Sequence, residues 1–159
     1  MSRAFVKEGG AEPPLVVPRA PLASGTPNYV TRRGLALLHD ERAALEASRP
    51  AADDPAGAAA LAGHNARLAA LEERVASAVT VDVAAIPHDE VRFSALVTLR
   101  NSGGAVRQYR IVGVDEADAS KGLISFRSPM AQTVLNATQG DLVEAAEPLG
   151  EIEIISISS

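Results

Sequence analysis

"RPAADDPAG", residues Arg49 to Gly57, separates two stretches with helical spacing, and its reading decides whether the N-terminal half is one rod or a hairpin. Before it, Leu35, Leu38, Arg42 and Leu45 step by three and four. After it, Leu61, His64, Leu68, Leu71, Val75 and Ala78 do the same, the spacing of an a/d seam. Pro50 excludes the residue before it from helical geometry and closes the first helix near Ser48, while Thr31 can cap its start. The chain then folds back at Asp53. This sets Leu45 by Leu61, Leu38 by Leu68 and Leu35 by Leu71, with Arg42 opposite His64 as a polar layer that fixes alignment. At about 1.5 Å per residue, a helix from Thr31 to Ser48 spans roughly 27 Å, so the predicted arm is a short rod.

The turn itself carries Asp53 and Asp54. Adjacent carboxylates are hard oxygen ligands of the kind that suit Mg²⁺, but Asp before Pro is also ordinary turn chemistry, and the turn is the preferred reading. His39 and His88 have no partner His at metal-like spacing, and His64 reads as part of the seam rather than as a ligand.

Composition bounds the rest. The 159 residues are 47% apolar, enough for a packed core, and contain no cysteine, so neither disulfides nor thiolate metal sites are available. A net charge of −5 with 3% aromatics disfavours an autonomous nucleic-acid binder, which needs a basic surface or stacking platforms, and predicts a protein partner. Arg32, Arg33, Arg49, Arg67 and Arg74 could face RNA or DNA, although a solvated helix face is the preferred reading. No signal peptide or membrane span is expected, and the expected location is the cytoplasm. With no Gly-rich phosphate loop and no nucleophile–base arrangement, no independent active site is expected either.

Composition shifts divide the chain into three expected segments. Residues 1–27 are rich in Pro and Gly and read as a flexible leader. Residues 28–78 hold the antiparallel helical hairpin, and residues 79–159 alternate β-branched with polar residues, the mark of a half-buried antiparallel sheet. There, Val91, Phe93, Ala95, Val97 and Leu99 form one inward face, although Leu96 breaks the alternation. "NSGG" at 101–104 turns the chain into "VRQYRIV" at 106–112, and "LISF" follows as a short strand. Ser128 and Pro129 open one short helix, and "GDLVEAAEP" with "GEIEIISIS" closes a hairpin that puts Ile152 and Ile154 on one face. The predicted class is α+β.

The stretch "YRIVGVDEADASKGLISFRSPMAQTVLNATQGDLVE", residues 109–144, resembles the C-terminal domain of the Gre transcription elongation factors. Asp115, Glu116, Ala117 and Asp118 stand at the family's DEAD-like loop, Ser128 and Pro129 open the helix, and Gly140 and Asp141 precede the final hairpin. Upstream, Thr31 and Gly34 match a Thr-x-x-Gly pattern at the start of the family's coiled-coil arm, and "LEERVASAVTVD" looks like the arm's return.

The resemblance implies an FKBP-like C-terminal domain that docks on the rim of the RNA polymerase secondary channel, and an arm that enters the channel. Asp115, Glu116, Ala117, Asp118, Ser128, Pro129 and Met130 are then the candidate polymerase-binding residues, Met130 as an adaptable apolar contact. Prolyl isomerase activity is not expected, since the β domain has only Phe93, Tyr109 and Phe126 to line such a pocket. In cleavage-stimulating members the tip carries a motif close to Asp-x-x-Glu-Asn-x-Glu-Tyr, whose carboxylates help hold a second Mg²⁺ at the polymerase active site. This chain has no Glu-Asn and no tip tyrosine, and its arm is shorter, as in the truncated arms of Rnk-type relatives. Two readings follow. In one the protein is a non-catalytic channel regulator with no cofactor of its own and at most indirect contact with nascent RNA. In the other it stimulates the polymerase's RNA cleavage through Asp53 and Asp54, with the Mg²⁺ belonging to the polymerase.

Overall fold

A computed structural model describes residues 19–82 and 85–159, in which an antiparallel helix pair stands on a mixed five-stranded sheet. β1 (Asn28–Val30) leads into α1 (Arg32–Ala47), and α2 (Pro55–Ala76) returns into β2 (Ala78–Thr80). The sheet comprises β3 (Leu96–Asn101), β4 (Val106–Val112), β5 (Leu123–Ser125), β6 (Leu142–Glu144) and β7 (Glu151–Ser158), with α3 (Pro129–Val134) between β5 and β6 in the chain.

Each helix begins where local chemistry supplies a cap. The Gly34 amide donates to Thr31 Oγ1 at 2.9 Å, that of Gly57 to Asp54 Oδ1 at 2.6 Å, and that of Ala131 to Ser128 Oγ at 3.2 Å. Pro55 and Pro129 occupy first turns, where the missing N–H has no acceptor to lose. Val30, Leu38, Leu45 and Leu71 are buried between the helices, and Leu35, Leu68, Val75 and Ala78 pack against them. Leu61 is half buried and outside this cluster. No hydrogen bond joins the expected Arg42–His64 layer among the described residues. Arg42 Nε donates to Glu46 Oε1 at 3.1 Å, one turn along its own helix, because a half-buried guanidinium meets a carboxylate at i+4 more readily than a facing ring. His64 is buried, with no bond to Arg42.

Two expected boundaries move. β2 does not enter the main sheet but pairs in parallel with β1, from Asn28 beside Ala78 to Val30 beside Thr80, closing the hairpin's base. Residues 19–27, expected within the flexible leader, pack on the helices: Arg19 pairs with Glu41 and with Asp115, each at 2.8 Å, and the Ala20 carbonyl accepts from Arg74 Nη2 at 2.8 Å. A Pro-rich segment lacks donors for a ladder, yet its carbonyls and its arginine remain available to side chains. The remainder of that leader, residues 1–18, lies outside the described residues.

The main sheet runs in the order β5-β4-β3-β7-β6, antiparallel except for the β4–β5 pair. Val91, Val97, Ile111, Ala131, Val134 and Ile154 fill the core between sheet and α3. The strand expected from Val91 starts only at Leu96, because Ser94 adopts a left-handed φ of 68° and turns the chain. Val91 is held instead by Ala137 and Asn136. A bulge opposite Thr98 and Leu99 leaves one extra residue in β7, so the inward face passes from Ile152 and Ile154 to Ile157.

Leu38, 2% exposed at the centre of the arm, and Leu37, 42% exposed, test this packing. Leu38→Ala is expected to cost about 3 kcal/mol in urea unfolding and Leu37→Ala under about 0.5 kcal/mol. Equal effects would show that the seam is misplaced.

Candidate functional site

Helix pair and sheet meet at the loop that follows β4, and the meeting point is built from charge. Asp115 lies between Arg19 Nε at 2.8 Å and Arg74 Nε at 3.0 Å. The latter is an ion pair without hydrogen-bond alignment. Glu116, 7% exposed, accepts from Thr31 Oγ1 at 2.5 Å and from Arg33 Nη1 at 3.0 Å. Thr31 therefore donates to the sheet's loop while its lone pair caps α1.

Two glycines make room for this joint. A Cβ on Gly34 would stand 2.8 Å from Glu116 Oε2, and one on Gly113 would stand 2.6 Å from the Tyr29 carbonyl. The Tyr29 ring packs against Phe126 and Phe93, with centroids 5.6 and 5.9 Å away, and those two rings lie 5.7 Å apart.

The candidate partner-binding residues thus divide. Asp115 and Glu116 face the chain's own arm, not solvent, because Arg19, Arg33, Arg74 and Thr31 offer them counter-charges and a donor. Ala117 and Pro129 are exposed, Asp118 and Ser128 are partly exposed, and Met130 is half buried against the core. Asp118 accepts from the hydroxyl and the amide of Ser120, and Lys121 Nζ lies 3.7 Å away. These contacts, the Ser120 hydroxyl first, hold its carboxyl below the usual carboxylate range. Ser128 uses its hydroxyl as the α3 cap.

At the arm's tip Asp53 is exposed and Asp54 caps α2. Among the described residues no three His, Asp or Glu side chains are grouped to hold a metal. Of the arginines expected on a solvated face, Arg32 and Arg49 are exposed, but Arg74 is 8% exposed and serves the joint. The aromatic trio escaped the sequence. Its one available signal was scarcity, since three Phe and two Tyr are all the aromatics the chain has.

Residues 86–159 match the family model described as "Transcription elongation factor, GreA/GreB, C-term". This part of the chain is similar to the C-terminal domain of the GreA/GreB family. Transcription elongation factor GreA of Desulfovibrio desulfuricans is 41% identical over 96 residues, and that of Helicobacter pylori 39% identical over 95. These matches take in 58% of this chain and 59% and 58% of those two relatives. Among solved structures, GreA factor homolog 1 of Thermus thermophilus is 22% identical with a TM-score of 0.39, covering 84% of this chain and 100% of its own. GreA/GreB from Nitrosomonas europaea is 21% identical with a TM-score of 0.42, covering 82% and 98%. Within the matched region, the loop of Asp115 and Glu116 is where the arm is fastened. No described helix is long and apolar enough to cross a membrane.

The joint and the loop each yield a measurement. In Gly34→Ala the new methyl displaces the Glu116 carboxylate from Thr31, which outweighs the gain in helix propensity and lowers stability by about 1 kcal/mol. In a Glu116→Ala background the same change is expected to become neutral or stabilising. An unchanged penalty would show that Glu116 is not what Gly34 makes room for. Asp118 favours the folded chain above the unfolded carboxylate range and loses that contribution as pH falls through its depressed folded value. Ser120→Ala is expected to raise the Asp118 pKa in a carboxyl-carbon NMR titration, and no movement would contradict the assigned cause.

Proposed function

We propose that this protein is a Gre-type regulator that binds RNA polymerase at the rim of the secondary channel and modulates elongation, with no active site of its own. What supports this is the GreA/GreB C-terminal domain joined through Thr31 and Glu116 to a short arm. The docking face lies on Ala117, Asp118, Pro129 and Met130, the part of the candidate set that the joint leaves available. From that seat the arm enters the channel and competes with cleavage factors for access. The setting is the cytoplasm, and contact with nascent RNA is at most indirect.

A second reading rests on Asp53. It is exposed and takes no hydrogen bond or ion pair among the described residues, so with Asp54 it could help hold a second Mg²⁺ at the polymerase active site. The protein would then stimulate transcript cleavage, and the polymerase would still be the enzyme. Against it stands reach: a 16-residue α1 is about 24 Å long, and two-metal chemistry tolerates little misplacement.

RNA cleavage in a stalled, backtracked complex of the cognate polymerase separates the two. The expected result is no stimulation by the protein alone and suppression of cleavage driven by a full-length Gre factor. Stimulation that disappears in Asp53→Asn with Asp54→Asn, with binding retained, would overturn the regulator reading.

A further inference from the structure

Between the start of α1 and the sheet lies a cleft of about 420 Å³, within the range of roughly 300–1,000 Å³ typical of small-molecule sites. Arg32, Arg33 and Arg110 line it, against the carboxylates of Asp82 and Glu116. Three guanidiniums facing two carboxylates leave a net positive wall. Glu116 is already held by Thr31 and Arg33, and Arg33 keeps further N–H donors on a side chain that is 54% exposed. Arg110 is anchored by one bond, from Nη1 to the Ser94 carbonyl at 2.8 Å, which leaves the rest of its fork available.

Two further observations converge on the cleft. The amides of Arg32 and Arg33 occupy the first positions of a 16-residue helix, where no intrahelical acceptor exists and the helix dipole is positive; no acidic residue of the helix itself stands in that turn, and the one carboxylate bonded there, Glu116, goes to Thr31 and the Arg33 side chain. Ser94, which also lines the cleft, is 2% exposed, and its hydroxyl has no hydrogen-bond partner among the described residues. A buried hydroxyl without a partner is uncommon in a well-packed chain.

We infer that this cleft binds a phosphate group, free or at the end of a small nucleotide. Tetrahedral phosphate oxygens match guanidinium forks, helix-terminal amides and a serine hydroxyl together, whereas a carboxylate would satisfy fewer of them. Among the described residues no aromatic side chain lines the cleft, so a base would not be stacked and the phosphate carries the affinity. A bound phosphate bridges Arg32 and Arg33 on the arm to Arg110 on β4, and so tightens the joint between the two parts.

Calorimetric titration and thermal unfolding of the full chain test this, using inorganic phosphate, pyrophosphate and GTP, with chloride matching the ionic strength. The expected result is saturable binding of at least one of them and a Tm that rises with its concentration. Arg110→Gln is expected to weaken binding about tenfold. Because Arg110 also holds Ser94, Arg32→Gln is the second variant: its side chain has no partner in the described structure, so affinity falls about tenfold with the ligand-free Tm unchanged. Equal affinity for phosphate and GTP supports a site for phosphate itself, and preference for GTP supports a nucleotide. Absence of saturable binding, or affinity unchanged in both variants, overturns the proposal.

Discussion

The hydrogen bond from Thr31 to Glu116 is the constraint on which the arrangement of arm and sheet depends. A threonine hydroxyl has one proton and two lone pairs, and here the proton goes to the sheet's loop while a lone pair caps α1. The atom that starts the helix is thereby also the atom that fixes where the helix starts in space. A second tie acts on the other leg of the hairpin at the same base, where Arg74, in the last turn of α2, meets Asp115. A rod held by both of its legs cannot pivot about either. Burying these charges adds little net stability, since desolvation offsets much of the attraction. Their effect is to select one orientation among several that apolar packing alone would permit.

Steric fit makes the same selection from the other side. The backbone of β1 passes so close to Gly113 that any side chain there would meet the Tyr29 carbonyl, and Gly34 leaves the space that the Glu116 carboxylate occupies. With Tyr29 laid against Phe93 and Phe126, the hairpin's base touches the sheet through charge, backbone and aromatic surface at once. The Thr-x-x-Gly pattern at Thr31 and Gly34 then has a physical meaning. The threonine makes the bond, and the glycine admits its acceptor.

What was legible in the sequence was local. Thr31, Asp54 and Ser128 cap their helices, Asn101 to Gly104 turn β3 into β4, and leucines at helical spacing form the arm's seam, because each depends on residues a few positions apart. The joint was not legible. Glu116 and Thr31 are 85 residues apart, and a loop reading Asp-Glu-Ala-Asp looks solvated until a partner is placed beside it. The same holds for the parallel seat of β5 and the pairing of β1 with β2, which no alternation pattern encodes. At Ser94 the alternation of Val91 to Leu99 concealed a left-handed residue, since apolar residues stay inward on both sides of the turn. The family resemblance pointed to this loop, but it could not tell which of the loop's carboxylates face outward.

The tip obeys the same economy of local roles, and this bears on what the arm can do. Asp54 is bound to the Gly57 amide, and Gly57 itself has no room for a side chain because the Ala51 carbonyl would lie 2.4 Å from its Cβ. With Pro55 between them, these residues end the connection of residues 48–54 and open α2. A turn so closed presents one carboxylate, Asp53, with no hydrogen bond among the described residues, and commits the other to the cap of α2. Two-metal chemistry needs several oxygen ligands converging on one point, and of the two tip carboxylates only Asp53 is left uncommitted by the turn. What the structure builds is a rigid rod of fixed direction, and the Thr31–Glu116 bond is what fixes the direction.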